Sequence, residues 1–379
     1  MVITGKRWFK NIQVKPKIVI ITGCRPDIIK MWPVYQALSE NSRLETVVIQ
    51  SGQHDELAET AFNDFSYKPD TILSVPSEDK AEIGWLHSRL VRELTTILKE
   101  LKPDMVLVHG DTTTAFAGTV SAFLRNIPVS HIEAGLRTAR FEYPFPEEGY
   151  RRAISRLTTL HFAPTKLSAI NLVSENIDPQ KVYVTGNTVV DSLRYIINST
   201  VSLGEIRTYK QILVTAHRRE TYGTPLKEFC KSLINVVTNH KNVKVVWPVH
   251  ENPQINKPVS YYLDGRNKIS LRKPANYRTF IQLLNSADIV ITDSGGVMEE
   301  AGVLNKPIIV LRTETERPEI LSLDYIKLIG YNFKKLEEII DYWLINPPIN
   351  SKQLNTLFGD GTAGNKIAEI IDIYFKDKK

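Results

Sequence analysis

Several loops of this chain carry residues that bind anions or move protons. Asp293-Ser294-Gly295-Gly296 stands between an apolar stretch and a helical one. Two glycines let a backbone come close to a ligand, and the free N–H groups and positive dipole end of a helix start suit a phosphate. The plainer alternative is a βα turn in which Asp293 or Ser294 is only an N-cap. Arg25 precedes Pro26, which suits position N1 of a helix, and Lys30 lies about one turn further on. Arg317 stands before another proline. A guanidinium in such a place can fork two phosphate oxygens, or it can be an ordinary surface cation. Asp111, Glu133 and Glu147 each follow an apolar run or open a helical one. Singly, each reads equally as a partner of a helix dipole. Together they offer acid and base groups converging from different loops. His217 is followed by Arg218, Arg219 and Glu220, which sets it in a charged context.

Other chemistries find no motif. Neither a Walker P-loop nor GxGxxG occurs, which lowers ATP hydrolysis and dinucleotide chemistry together. There is no HExxH, no CxxC and no helical histidine pair, so no metal and no cofactor are expected. His109 and His131 read as histidines packed at strand ends.

Positioning these groups requires a particular set of elements. Val- and Ile-rich runs recur at 17–22, 45–50, 105–109, 129–133, 160–163 and 182–185, and again at 211–215, 243–247, 269–272, 289–292, 308–311 and 326–329. Helical periodicity between them, as at 225–240 and 276–286, marks βα units and parallel sheets. Twelve strands exceed the usual content of one doubly wound sheet. The expected architecture is therefore α/β, with two Rossmann-like domains facing a cleft. The first is expected over 16–185 and the second, which holds the candidate phosphate cradle at 293–296, over 186–361, with a last helical stretch at 362–377 that could pack on either. Ligands of open α/β sheets lie beyond the carboxyl ends of the strands. Those ends are where the residues above fall.

Length and composition set the remaining bounds. The 379 residues are 42% hydrophobic and 24% charged, an ordinary globular balance. The formal charge is +6, but Lys6, Arg7, Lys10, Lys15 and Lys17 precede the first acidic residue, Asp27, so the body is nearly neutral. No basic stripe with interleaved aromatics is seen, and nucleic acid is not expected as a partner. Two cysteines, Cys24 and Cys230, cannot build a disulfide framework. No apolar run approaches a bilayer span and the start lacks a secretory h-region, so a cytoplasmic protein without membrane association is expected.

The strings GCRPDIIKMWPV (23–34), HGDTTTAFAG (109–118), HIEAGLRT (131–138), PFPEE (144–148), GNTVVD (186–191), TAHRRET (215–221), PVHENP (248–253), TDSGGVMEEA (292–301) and KPIIVLRTETERPE (306–319) resemble the non-hydrolysing UDP-N-acetylglucosamine 2-epimerase family, in order, over about residues 17 to 320. The resemblance implies a fold of the glycosyltransferase-B type with the C-terminal helix crossing back to the first domain. It further implies a homodimer and reversible conversion of UDP-GlcNAc into UDP-ManNAc. Asp111, Glu133, Glu147 and His217 match the family's catalytic positions, and Arg25 and Lys30 its substrate-binding basic pair. Phe280 matches the position against uracil. Ser294 and Gly296, with Gly295 between them, match the diphosphate site, Glu300 the ribose contact and Arg317 the phosphate contact. Gln53, Arg218 and His250 match a second, activating UDP-GlcNAc site, but Glu56 stands where that site has a second glutamine. Cys24 replaces the usual Thr, Asp27 the usual Glu, and Tyr150 an expected Asn.

A C2–H with no adjacent carbonyl is hard to ionise, and one positioned base supplies only about 10²- to 10⁴-fold. The route the resemblance implies is loss of UDP to give a 2-acetamidoglucal, followed by its re-addition. Arg25, Arg317 and the helix start at Gly295 would stabilise the departing UDP. Hydrolysing relatives, a glycosyltransferase of the same fold and a catalytically silent nucleotide-sugar sensor are the rival readings. They are separated by the products formed from UDP-GlcNAc alone.

Overall fold

The computed structural model describes residues 15–52, 56–75, 82–138, 140–199, 207–216, 218, 221–348 and 357–378. The Val/Ile runs form strands because both faces of a parallel sheet are covered by helices, which favours continuous β-branched sequence. The first sheet contains β1 (Lys17–Thr22), β2 (Glu45–Gln50), β3 (Thr71–Ile72), β4 (Met105–His109), β5 (Val129–Ile132), β6 (Leu160–Ala163) and β7 (Val182–Val184), in the spatial order 3-2-1-4-5-6-7. The second contains β8 (Lys210–Thr215), β9 (Val243–Pro248), β10 (Ile269–Arg272), β11 (Ile289–Thr292), β12 (Ile308–Val310) and β13 (Ile326–Leu328), ordered 10-9-8-11-12-13. Every pairing is parallel. Each order reverses beside its first strand, between β1 and β4 and between β8 and β11, which is where such sheets open a crevice. The molecule has the expected α/β architecture of two Rossmann-like sheets facing a cleft. The two-residue β3 is an element the periodicity does not reveal, and it pairs with Ile49 and Gln50 at the edge of the sheet.

The helices flanking the first sheet are α1 (Arg25–Glu40), α2 (Glu56–Asp64), α3 (Ile83–Leu101), α4 (Thr113–Leu124), α5 (Glu147–Leu157), α6 (Lys166–Ser174) and α7 (Thr188–Asn198). With the second sheet come α8 (Thr224–Asn239), α9 (Pro253–Leu263), α10 (Tyr277–Ser286), α11 (Gly295–Val303) and α12 (Phe333–Ile345), and α13 (Ala363–Lys376) closes the chain. α3 shows why such segments are helical. Leu86, Leu90, Leu94 and Leu98 bury one stripe, and the Glu82 carboxylate accepts from the Gly84 and Trp85 N–H groups at its start. α1 begins at Arg25 with Cys24 as N-cap, so Pro26 is its second residue, not the first as the motif suggests.

α13 returns from the second half to pack on α1 and α7. Gly364 permits that approach, since a Cβ there would lie 2.5 Å from the Pro33 carbonyl oxygen, and its N–H donates to Asp191 Oδ1 at 2.9 Å. One buried apolar cluster runs through both halves, from Ile20 and Leu107 to Phe280, Val290 and Ile308. No helix among the described residues is long and apolar enough to cross a membrane.

Candidate active site

The carboxyl ends of the two sheets enclose a cavity of about 270 Å³. From the first sheet, Gly23 turns the chain out of β1, where a Cβ would meet Thr114 Oγ1 at 2.3 Å. Asp27 Oδ2 then accepts from the N–H groups of Gly23 (3.1 Å) and Cys24 (3.2 Å), fixing the start of α1. Arg25 reaches across the cleft and donates to the Ala275 carbonyl at 3.1 Å. Lys30 is buried between two carboxylates, Glu133 from the first half and Glu299 Oε2, 3.1 Å away, from the second.

Glu133 sits in the turn after β5 with φ of 63°, a left-handed conformation that non-glycine residues seldom adopt. Such strain persists where the surroundings over-determine it. Its carboxylate faces Lys30, His109 Nε2 at 3.3 Å, Asn187 Nδ2 at 3.2 Å and Arg317 Nη2 at 3.4 Å. Burial alone would raise its pKa, but the charge of Lys30, with His109 and Arg317, holds it well below the usual carboxylate range. His109 is also buried, yet bonds to Asp27 and Glu133 outweigh burial and bring its pKa up to about 9.

Asp111 follows β4 and pairs with Arg151 Nη2 at 2.5 Å, and Arg151 in turn holds the buried Glu148 at 3.1 Å. Glu147 opens α5. Burial, with the Asp111 charge adding to it, raises its pKa, and its Oε2 has no hydrogen-bond partner among the described residues. The wall therefore holds one carboxylate kept ionised and one biased toward its protonated form. The two are thus pushed in opposite directions by their surroundings.

The second sheet contributes the start of α11. Ser294 is its N-cap, and Gly295 admits the Arg317 side chain, since a Cβ there would lie 2.6 Å from Arg317 Nη1. A Cβ on Gly296 would meet nothing within 4 Å, so its face of the helix start opens on the cavity. Arg317 is buried, bonded to Glu299 and to Glu316 Oε1 at 2.5 Å. Glu316 also holds Arg312 at 2.8 Å, and the two arginines drive its pKa down against burial. Tyr277 and Phe280 of α10 line the same wall. Burial brings the Glu300 pKa up to about 7, opposed by the neighbouring Tyr277 hydroxyl and by Lys30 and Arg25.

Of the residues singled out from sequence, Arg25, Lys30, Asp111, Glu133, Glu147, Phe280, Ser294, Gly295, Gly296, Glu300 and Arg317 line this one cavity, and Arg218 joins them. His250 is exposed and does not line it; its Nδ1 accepts from the Asn252 N–H at 3.1 Å. His217 and Gln53 lie outside the described residues. Sequence reasoning missed Glu299, Glu316 and Asn187. Asn187 donates to Glu133 and, at 3.0 Å, to Glu299, bridging the two halves. Its only sequence signal is its place in GNTVVD. Asp27 was read as a replacement and His109 as packing, whereas the two touch at 3.0 Å and both line the cavity.

A family model described as UDP-N-acetylglucosamine 2-epimerase matches residues 36–372. The UDP-N-acetylglucosamine 2-epimerase of Escherichia coli (strain K12) is 37% identical over 371 residues, covering 94% of this chain and 98% of that protein. A crystal structure of UDP-GlcNAc 2-epimerase from Neisseria meningitidis bound to UDP-GlcNAc superposes with a TM-score of 0.89 at 36% identity, covering 94% of this chain and all of that one. A Methanocaldococcus jannaschii UDP-GlcNAc 2-epimerase in complex with UDP-GlcNAc and UDP gives 0.81 at 30% identity, covering 94% and 99%.

Proposed function

Since this chain belongs to the UDP-N-acetylglucosamine 2-epimerase family, we propose that it interconverts UDP-GlcNAc and UDP-ManNAc by eliminating and re-adding UDP. In this reading a carboxylate takes the C2 proton while the C1–O bond breaks and its electron pair leaves with UDP. The product is a 2-acetamidoglucal. Return of UDP to C1, with a proton delivered to the opposite face of C2, completes the inversion.

The lining of the cavity and the family resemblance support the following roles. Glu133 is the base, and Glu147, whose pKa is raised, is the acid. Asp111, oriented by Arg151, is the third carboxylate of the proton path, and His217 acts near the phosphates. Arg25, Lys30 and Arg317 take the diphosphate, with Ser294, Gly295 and Gly296 presenting the helix start of α11 to it. Phe280 stacks on uracil and Glu300 accepts from the ribose hydroxyls. Lys30 and Arg317 both clamp Glu133. A diphosphate drawing those cations toward itself would leave Glu133 a stronger base only when substrate is present.

The observation that carries this reading is Glu133, strained, part-buried and held by cations from both halves in the cavity that the start of α11 also lines. In Glu133→Gln, turnover of UDP-GlcNAc should fall by roughly 10³-fold while UDP affinity changes less than about threefold. Turnover within tenfold of the unaltered enzyme would remove Glu133 from the role. In D₂O, NMR of the sugar should show deuterium at C2 of both epimers. Free ManNAc as the accumulating product would mean hydrolysis instead. With a carboxylate at Glu56, a second UDP-sugar at Gln53, Arg218 and His250 would meet repulsion, so the dependence of rate on UDP-GlcNAc should be hyperbolic. Sigmoidal kinetics would contradict that.

A further inference from the structure

Of the ionisable partners of Glu133 named above, Lys30, Arg317 and His109, only His109 is given no phosphate to bind, and a second carboxylate holds it. Its Nδ1 lies 3.0 Å from Asp27 Oδ1 and its Nε2 3.3 Å from Glu133 Oε2. An ionised carboxylate accepts hydrogen bonds and donates none. A neutral imidazole has one N–H and would set a lone pair against whichever carboxylate it did not serve. Both contacts are satisfied together only by the imidazolium. Asp27 is fixed independently, because its Oδ2 accepts from Gly23 and Cys24 N–H and, at 3.3 Å, from the Thr112 hydroxyl.

We infer that His109, braced by Asp27, is a positioning residue that holds Glu133 in its strained turn as a doubly protonated imidazolium. This rests on the reading of Glu133 as the base. When the diphosphate recruits Lys30 and Arg317, Glu133 keeps only His109 and Asn187 of its present partners. His109 then keeps the carboxylate aimed, and its charge keeps it ionised until the proton is transferred. The groups around it are few. Asp27 and Lys30 come from α1, and Glu133 and His131 from β5 and its turn. Lys30 opposes the positive charge, and His131 is held neutral by burial. The sequences of α4 and of the adjacent end of β1 contain no titratable side chain.

The test combines a spectrum with kinetics. In protein labelled with ¹⁵N-histidine, both His109 nitrogens should resonate as protonated near pH 7.5, assigned by through-space contacts of its ring protons with the Asp27 and Glu133 side chains and by their loss in His109→Gln. They should titrate near pH 9, the value to which Asp27 and Glu133 bring this group. Turnover should share that basic limb. His109→Gln should lower kcat by at least about tenfold with KM within about threefold, and the limb should disappear. Asp27→Asn should move the limb to lower pH. A neutral imidazole signature for His109 near pH 7.5 would overturn the inference even where the variants fail to fold. So would a His109→Gln enzyme with unchanged kcat and pH profile. Turnover retained by Glu133→Gln would instead overturn the proposed function, whatever the spectrum showed.

Discussion

Two places in the first sheet bury histidines in opposite states. His109, at the end of β4, titrates near 9, whereas His131 and His161, in register across β5 and β6, are brought down to about 3 and about 4. Burial lowers all three. The difference is lateral: His109 has carboxylates on both ring nitrogens, while His131 Nε2 donates to the Gly110 carbonyl at 2.7 Å and its remaining neighbours are cationic or imidazole. His161 faces the charges of Arg137 and Lys181. The sheet interior accepts a histidine only as a neutral filler. The cleft accepts charge because charges of the opposite sign reach it from several loops.

The strongest way to break this contrast is to strip the cleft of a cation. Arg317→Ala would leave Glu299, Glu316 and Glu133 facing each other without their shared partner. Removing one member of a buried ion pair costs about 3–5 kcal/mol, so denaturant unfolding should show a loss of that order along with lost UDP binding. An unchanged unfolding midpoint would mean that the network is not coupled. The two histidine regions should also tilt the pH dependence of stability in opposite directions. His131 and His161 bind fewer protons folded than unfolded between their low pKa values and about 6.5, so stability falls as pH drops through that range, by about 2 kcal/mol for each at pH 5. His109 is the reverse. Its contribution is complete below about 6.5 and is lost as pH rises through 9. Replacing His131 by Asn should flatten the acid limb of unfolding free energy against pH, and replacing His109 by Gln the alkaline one. Equal acid limbs before and after the His131 change would refute the assignment.

Such differences mark the limit of what the sequence makes legible. The strands were readable because a buried parallel strand demands an unbroken β-branched run, and β3 escaped because two edge residues form no pattern. The loops after the strands were readable because polar residues there have few structural uses. Nothing in HGD or HIE separates His109 from His131, since the charge of His109 depends on Asp27, 82 residues away, and on Glu133 beyond the next strand. Glu299 was passed over for its neighbour Glu300 for the same reason. Its role is set by Lys30, 269 residues away, and by Arg317. Local pattern locates the rim of a site, whereas pairing across the cleft decides the charge state of each group within it.

The smallest expected effect tests whether the cleft is shaped for a ligand or for the fold, and two glycines decide it. A methyl group on Gly296 would meet no protein atom within 4 Å but would stand at the helix start facing the cavity. Gly296→Ala should therefore leave the unfolding free energy within about 0.5 kcal/mol of the unaltered protein. It should weaken UDP binding by roughly fivefold to tenfold, the cost of displacing a phosphate from N–H donors by part of an ångström. Gly364, where α13 crosses α1, predicts the opposite outcome. A Cβ there would press on the Pro33 carbonyl and carbon at 2.5 and 2.7 Å, so Gly364→Ala should cost about 1–3 kcal/mol of stability with UDP affinity unchanged. Calorimetric titration with UDP alongside thermal unfolding separates the two. If Gly296→Ala binds UDP as the unaltered protein does, the helix start of α11 is not where the diphosphate lies.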